Sequence, residues 1–210
     1  MPNFFYFLIF FCIPGCYQNR DSVLKHNESQ EKNSYDTSFV LFSDSSYLFQ
    51  FLTFDTQSKN NSIVKVLKEH QNGVFKTIFS DSLNCMSRII ERKDFNNDKI
   101  DDILVFHSTG ARSNPTYYLY LINYQKKSIE RVYGFEDLPN PDIDSNIITS
   151  IAVAGTQYIY NFYMLKGSEL VNFHKQAIVD MNDSLTYPRI IKQLSRNLSA
   201  SNGDRYNKNP

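Results

Sequence analysis

The chain has 210 residues, of which 41% are hydrophobic and 15% aromatic, so its length and composition fit one domain with a sizeable core. Its 22 basic residues balance 22 acidic ones, which excludes the strongly basic character that is typical of nucleic-acid-binding domains. Glycine occurs only 7 times, which excludes collagen-like and glycine-rich linker sequences.

The N-terminal segment, residues 1–15, differs from the rest because residues 4–13 form an almost unbroken apolar run. The run is too short for a membrane span, which needs about 20 apolar residues, but it has the length of a signal-peptide hydrophobic region. The sequence IPGC at 13–16 resembles the bacterial lipoprotein signal, whose cysteine becomes the lipidated N-terminus. This resemblance implies a cleaved signal peptide at 1–15 and a lipid on Cys16. It also implies anchoring to a membrane on the periplasmic side of the bacterial envelope. An ordinary secretory signal with an incidental Cys16 is the alternative.

The segments that flank the centre of the chain are polar. Residues 16–35 are predicted to be a lipidated flexible tether, and residues 196–210 a disordered tail, which leaves one β domain at 36–195. Within that domain Cys85 is the one cysteine, so no intramolecular disulfide is available to it. We interpret Cys85 as a small buried hydrophobic residue, the alternative being a nucleophile paired with a histidine.

Between these segments, short runs alternate apolar with polar residues and are rich in β-branched and aromatic side chains, a pattern that predicts strands. Asn72-Gly73 is a hairpin signal between two of the runs. The sequence therefore predicts an all-β fold of antiparallel hairpins in a propeller-like or sandwich-like arrangement, with a short helix at 189–198. The predicted strands are 37–42, 47–54, 62–69, 73–80, 87–93, 102–108, 116–124, 128–134, 147–155, 157–165 and 168–175.

The stretch RKDFNNDKIDDILVF, residues 92–106, concentrates acidic and amide side chains directly before a strand. Calcium prefers six to eight oxygen ligands, and alternate residues of a tight loop direct their oxygens inward. The spacing therefore predicts a structural calcium site that uses oxygens of Asp94, Asn96, Asp98, the Ile100 carbonyl and Asp102. Lys99 occupies the position where such loops normally have glycine, so it is expected to adopt an unusual backbone angle. A solvated Asn/Asp turn is the alternative.

This motif resembles the loop of FG-GAP/VCBS-type β-repeats. Downstream, a tyrosine-rich hairpin, the segment LPNPDID and a glycine-turn hairpin follow in the order seen in a family of small periplasmic lipoproteins. The resemblance covers about residues 85–175. It implies a propeller-like β-fold with bound calcium, held by the five residues named above. Some members of that family are immunity proteins that inhibit lysozyme-like, peptidoglycan-cleaving toxins, so the resemblance implies a peptidoglycan hydrolase as partner.

Candidate partner-binding residues follow the acidic loop. His107 lies where the strand 102–108 passes into the polar loop 108–115, and Arg112 lies in that loop, where it is placed to enter an acidic cleft of a partner. Tyr118 and Tyr120 share one face of the strand 116–124, and exposed tyrosines suit protein interfaces and sugar stacking. The alternatives are a plain hairpin loop and a strand that is packed on both faces.

Catalytic sequence motifs are absent: the chain has no glycine-rich phosphate loop, no Gly-x-Ser-x-Gly and no Cys-x-x-Cys. We therefore expect a binding protein rather than an enzyme. Inhibition of a peptidoglycan-cleaving enzyme is the first hypothesis for its function. The alternatives are a carbohydrate- or surface-binding module of a larger cell-envelope assembly and an enzyme of unrecognised type.

Overall fold

A computed structural model of the chain describes residues 35–43, 45–54, 59–110 and 114–206. The predicted signal peptide, the lipidation of Cys16, the tether up to residue 34 and the loop residue Arg112 lie outside the described residues. Within these ranges, no helix is long and apolar enough to cross a membrane.

The described residues form twelve β-strands and one α-helix, and the strands make up three antiparallel sheets of four strands. The first sheet contains β1 (Tyr35–Val40), β2 (Tyr47–Thr53), β3 (Ser62–Glu69) and β4 (Phe75–Leu83). The middle sheet contains β5 (Ile90–Lys93), β6 (Asp102–Thr109), β7 (Pro115–Asn123) and β8 (Ser128–Val132). The third sheet contains β9 (Asp142–Asp144), β10 (Ile147–Ala154), β11 (Gln157–Lys166) and β12 (Glu169–Asp180).

Each sheet is a meander, because every strand pairs with its neighbour in sequence. This architecture confirms the prediction of an all-β fold built from antiparallel hairpins. The hairpin signal at Asn72-Gly73 is also confirmed, because both residues adopt left-handed backbone angles, with φ of 68° and 73°. β9 was not predicted, since three residues are too few to display a period of two.

The middle sheet is buried on both faces, which explains the long apolar runs in β6 and β7. One face packs against the first sheet and contributes Ile103, Tyr118 and Tyr120 to a shared core with Phe49 and Val64. The opposite face contributes other residues, among them Leu104 and Leu119, to a second core with the third sheet. The three sheets are therefore stacked as layers, with β5–β8 in the centre.

The outer face of the third sheet is covered by α1, which spans Thr186–Tyr206. The short helix predicted at 189–198 is confirmed, but it extends further, so the prediction of a disordered tail from residue 196 is wrong for residues 196–206. The physical reason is the spacing of Ile191, Leu194 and Leu198, which places three apolar side chains on one helix face against the sheet. Before the helix, the Asp183 carboxylate accepts hydrogen bonds from the N–H groups of Leu185 and Thr186.

Candidate functional site: an acidic loop and an arginine cluster

The acidic loop between β5 and β6 is anchored in the core by the aromatic side chain of Phe95. Phe95 is buried and packs edge-on against Phe135, with ring centroids 5.1 Å apart. Around it, Asn97, Asp98 and Lys99 remain exposed. The loop is therefore a polar surface segment whose position is set by the core between the middle and third sheets.

The side chains at alternate positions of the loop turn toward its own backbone. Asp94 Oδ1 accepts hydrogen bonds from the N–H groups of Asn96 (3.2 Å) and Asn97 (2.6 Å), and Asp94 Oδ2 accepts one from Lys99 (2.8 Å). Asn96 Oδ1 accepts the Asp98 N–H at 3.0 Å. Asp98 accepts the Ile100 N–H at 2.9 Å and the Asn96 side-chain amide at 3.0 Å. These bonds hold the oxygens of Asp94, Asn96 and Asp98 close together.

Lys99 has a φ of 69°, so the expectation of an unusual backbone angle at this position is confirmed. A lysine in the left-handed region is less stable than glycine there, because its Cβ crowds the backbone. Asn97 also has a positive φ, of 59°, but asparagine tolerates this region better. The loop therefore closes at the cost of strain at Lys99.

Asp102 has a different role from the other acidic residues, because it is fully buried at the start of β6. Its Oδ2 accepts the Phe95 N–H at 2.9 Å and its Oδ1 accepts the Ile122 N–H at 3.0 Å, so it ties the loop to β7. Burial raises the pKa of this carboxyl to about 6, the two N–H groups partly oppose that shift, and the charges of Asp98 and Asp94 add to it.

The chemistry of the loop oxygens fits calcium, because they belong to carboxylate, amide and carbonyl groups, although Asp94 Oδ1 already accepts two hydrogen bonds. Among the residues that the structure describes, however, no three acidic, histidine or cysteine side chains gather into a metal centre by themselves. An ion at this loop would therefore also depend on Asn96 and the Ile100 carbonyl. Calcium binding by Asp94, Asn96, Asp98, Ile100 and Asp102 stays a prediction.

Calcium is expected to raise the thermal stability of the protein, and Asp98→Ala is expected to remove most of that gain. An ion at a concentration 100 times its Kd would add about 2.7 kcal/mol to the free energy of unfolding. Melting curves recorded with calcium and with a chelator measure the effect. Lys99→Gly is the companion variant, expected to strengthen the response because it removes both the strain and a nearby positive charge. Identical curves for the native protein in both conditions would contradict a calcium site.

Tyr118 and Tyr120 are buried, with 6% and 0% of their surfaces exposed. The prediction that these two tyrosines contact a partner is therefore wrong, and the alternative of a strand packed on both faces is confirmed. The reason is the position of β7, which lies between two other sheets, so neither of its faces is open to solvent.

The two tyrosines instead belong to a buried cluster around Arg131 of β8. The Arg131 guanidinium donates to Asp81 Oδ2 at 2.9 Å and to Glu136 Oε1 at 2.6 Å. The Tyr120 hydroxyl donates to the same Asp81 oxygen at 2.7 Å. The guanidinium carbon lies 4.6 Å from the centre of the Tyr118 ring. The cluster therefore joins the first sheet, the middle sheet and the segment after β8.

The two carboxylates of this cluster shift the pKa values of the groups beside them. Burial on its own would lower the pKa of Arg131, but Glu136 and Asp81 outweigh burial and raise that pKa. Burial also raises the pKa of the Tyr120 hydroxyl, and the Asp81 charge raises it further. Within the described part of the chain, Arg131 Nε and Glu136 Oε2 are buried without a hydrogen-bond partner. This cluster was not predicted from the sequence, although a charged residue at an inward-facing strand position two residues after Ile129 was a possible signal.

His107 lies next to this cluster and is partly buried. Its ring is tilted against Tyr118 at a centroid distance of 4.8 Å, and its Nδ1 lies 3.4 Å from Thr116 Oγ1. Burial lowers the pKa of His107, the Glu136 and Asp137 charges partly oppose that shift, and Arg131 adds to it. These contacts are structural, and the role of His107 in partner binding stays a prediction.

Because the pKa of His107 is lower in the folded protein than in the unfolded chain, a proton on this histidine favours unfolding. Its contribution to stability is present above the unfolded pKa of about 6.5 and is lost as the pH falls through the lower folded pKa. The melting temperature of the native protein is expected to decrease over this range more steeply than that of His107→Gln. Parallel pH profiles of the two proteins would contradict this assignment.

Cys85 is buried in the core between the first and middle sheets, so the interpretation as a buried hydrophobic residue agrees with its position. Burial raises the pKa of the thiol to about 11, against the opposing effects of Ser62 and Arg131. A thiol that stays protonated at neutral pH is a poor nucleophile.

The loop between β6 and β7 is braced at its ends. The Gly110 N–H donates to the Asn114 carbonyl at 3.0 Å, and the Asn140 N–H donates to the Pro115 carbonyl at 2.8 Å. The Asn140 side-chain amide donates to Asn114 Oδ1 and to the Ile151 carbonyl, both at 2.7 Å. The asparagine of the Asn-Pro segment therefore links the base of this loop to the third sheet.

Comparison with known proteins adds no relative: no family model matches the chain, and no curated protein or solved structure matches it.

Proposed function

We propose that this protein works by binding and that it inhibits a peptidoglycan-cleaving, lysozyme-like enzyme. In this proposal a lipid on Cys16 anchors the protein to a membrane on the periplasmic side of the bacterial envelope, and calcium in the acidic loop stabilises it. The observation that carries the proposal is the bracing of Gly110, Asn114 and Pro115, which flank the segment with Arg112, together with the resemblance of residues 85–175 to periplasmic immunity lipoproteins.

The bracing supports inhibition because fixing the two ends of a loop reduces the conformational entropy that is lost when the loop enters a cleft. Most glycoside hydrolases place two carboxyl groups on either side of the bond that they cleave. A cationic side chain such as Arg112 is complementary to those groups. Asn140 is the residue that would fix the base of the loop, since it bonds to both Asn114 and Ile151.

The experiment is a panel of purified muramidases assayed with the native protein, Arg112→Ala and Asn140→Ala. For the cognate enzyme we expect inhibition that Arg112→Ala weakens by about 10- to 100-fold, a range equivalent to the loss of a charge-assisted contact. Asn140→Ala is expected to weaken inhibition less. An exposed arginine elsewhere, Arg189→Ala on α1, is the matched control and should inhibit like the native protein. The absence of both binding and inhibition across the whole panel would refute the proposal.

A carbohydrate-binding function is the second candidate, and it is favoured by Tyr133. This side chain is 72% exposed. One face of its ring contacts Arg131, whose guanidinium carbon lies 4.9 Å from the ring centre. A supported aromatic ring with one open face is suited to stacking against a sugar. Glycan-array binding that Tyr133→Ala abolishes would support this function, whereas an array without any signal would count against it.

A further inference from the structure

A cleft of about 530 Å³ runs beside β8, the edge strand of the middle sheet, and residues from all three sheets contribute to it. Phe79 of the first sheet and Leu170 of the third supply apolar walls, and Tyr133 supplies an exposed aromatic ring. Glu130 and Glu169 are exposed at the same cleft, and the Ser168 hydroxyl donates a hydrogen bond to Glu130 at 2.5 Å. The cleft therefore combines aromatic surface with carboxylates.

The charges around the cleft do not balance. Arg131, its one lining cation, is already shared between Asp81 and Glu136. Neither Glu130 nor Glu169 forms an ion pair with any of the described residues, although Lys166 is opposite Glu169 in the β11–β12 ladder. Among the lining residues the two glutamates carry negative charge, and the one cation, Arg131, is already paired with Asp81 and Glu136, so the cleft has an excess of negative charge.

We propose that this cleft binds a lysine or arginine side chain of a protein partner. Two carboxylates without ion-pair partners attract a cation, and the exposed ring of Tyr133 adds cation–π attraction on the face that Arg131 does not contact. The cleft is larger than one ammonium group requires, and its apolar walls suit the methylene stem and neighbouring residues of a polypeptide. This site is separate from the braced loop, so it does not depend on the muramidase proposal.

Titration of the full-length protein with tetralysine at low ionic strength, followed by calorimetry, tests the proposal. Glu130→Gln and Glu169→Gln keep the shape of each side chain and remove its charge, and each is expected to weaken binding by about 3- to 10-fold. The matched control is Asp180→Asn, which removes an exposed charge at the other end of β12 and should bind like the native protein. Absence of binding, or an equal loss in the control, would overturn the proposal.

Two further titrants distinguish other ligands. Spermidine carries ammonium groups without a polypeptide, so we expect it to bind at least 10-fold more weakly than tetralysine. Equal affinities would overturn the assignment to a protein side chain. A chitin tetrasaccharide that binds with dependence on Tyr133, in the absence of tetralysine binding, would overturn the proposal in favour of a sugar. Because neither titrant is a muramidase, these outcomes are independent of the enzyme panel.

Discussion

Replacing Arg131 with methionine is expected to lower the free energy of unfolding by about 3–5 kcal/mol, the range for breaking a buried ion pair from one side. The guanidinium side chain is only 12% exposed and is the shared partner of two carboxylates that are themselves largely buried. Methionine fills a similar volume but leaves Asp81 and Glu136 as neighbouring charges without a cation. The loss therefore comes chiefly from two uncompensated carboxylates rather than from one missing contact.

Urea unfolding of the native protein, Arg131→Met and three further variants separates these contributions. Arg131→Lys keeps the charge but cannot donate to both carboxylates in the same planar geometry, so we expect an intermediate loss. Tyr120→Phe removes one donor to Asp81 and is expected to cost about 1 kcal/mol. Arg189→Met, on the exposed face of α1, should stay within about 0.5 kcal/mol of the native value. A loss below about 1 kcal/mol for Arg131→Met would contradict a stabilising role for the cluster.

The second large effect is expected for Asp102→Ala, which we expect to destabilise the protein by about 3 kcal/mol. The Asp102 carboxylate is buried and accepts two backbone N–H groups, one from the acidic loop and one from β7. Alanine leaves the N–H groups of Phe95 and Ile122 buried without an acceptor. Relief from burying a charge offsets part of this loss, so the estimate stays near the lower end for two charge-assisted bonds.

The comparison for Asp102 is the preceding residue. Asp101 is exposed, and Asp101→Ala should change the free energy of unfolding by less than about 0.5 kcal/mol. Asp102→Asn keeps one acceptor oxygen but turns an amide toward the second N–H, so an intermediate loss is expected. These measurements are made in the presence of a chelator, which removes any contribution from calcium. Equal effects of Asp101→Ala and Asp102→Ala would show that burial and the two hydrogen bonds have no energetic importance.

Arg131 and Asp102 also hold together the elements that carry the proposed binding surfaces. Arg131 connects the first sheet to the middle sheet beneath Tyr133, and Asp102 connects the acidic loop to β7. The base of the β6–β7 loop depends on a different residue, Asn140. Variants at Arg131 or Asp102 therefore report on stability, whereas Arg112, Glu130 and Glu169 are the positions that report on binding.

The local alternation of apolar and polar residues was sufficient to predict most strands. Ser62–Glu69 has the predicted bounds, and other strands differ at their ends by a few residues, because alternation with β-branched and aromatic residues reflects a half-buried strand directly. Asn72-Gly73 indicated its turn because few residues adopt a positive φ easily. The spacing of Asp94, Asn96 and Asp98 indicated a loop with inward-facing oxygens for an equally local reason, since neighbouring side chains reach the same backbone groups.

Only the tertiary structure decided which faces are covered. Alternation places Tyr118 and Tyr120 on one face of β7, but whether that face meets solvent depends on the first sheet, which precedes it in the chain. Arg131 finds Asp81 50 residues away, and Asp102 finds the Ile122 N–H 20 residues away, so no local spacing indicates either contact. The sequence by itself therefore determined the strands, their turns and the acidic loop, which depend on neighbouring residues. The stacking of the sheets determined burial, the arginine cluster and the cleft, because these depend on groups that only folding brings together.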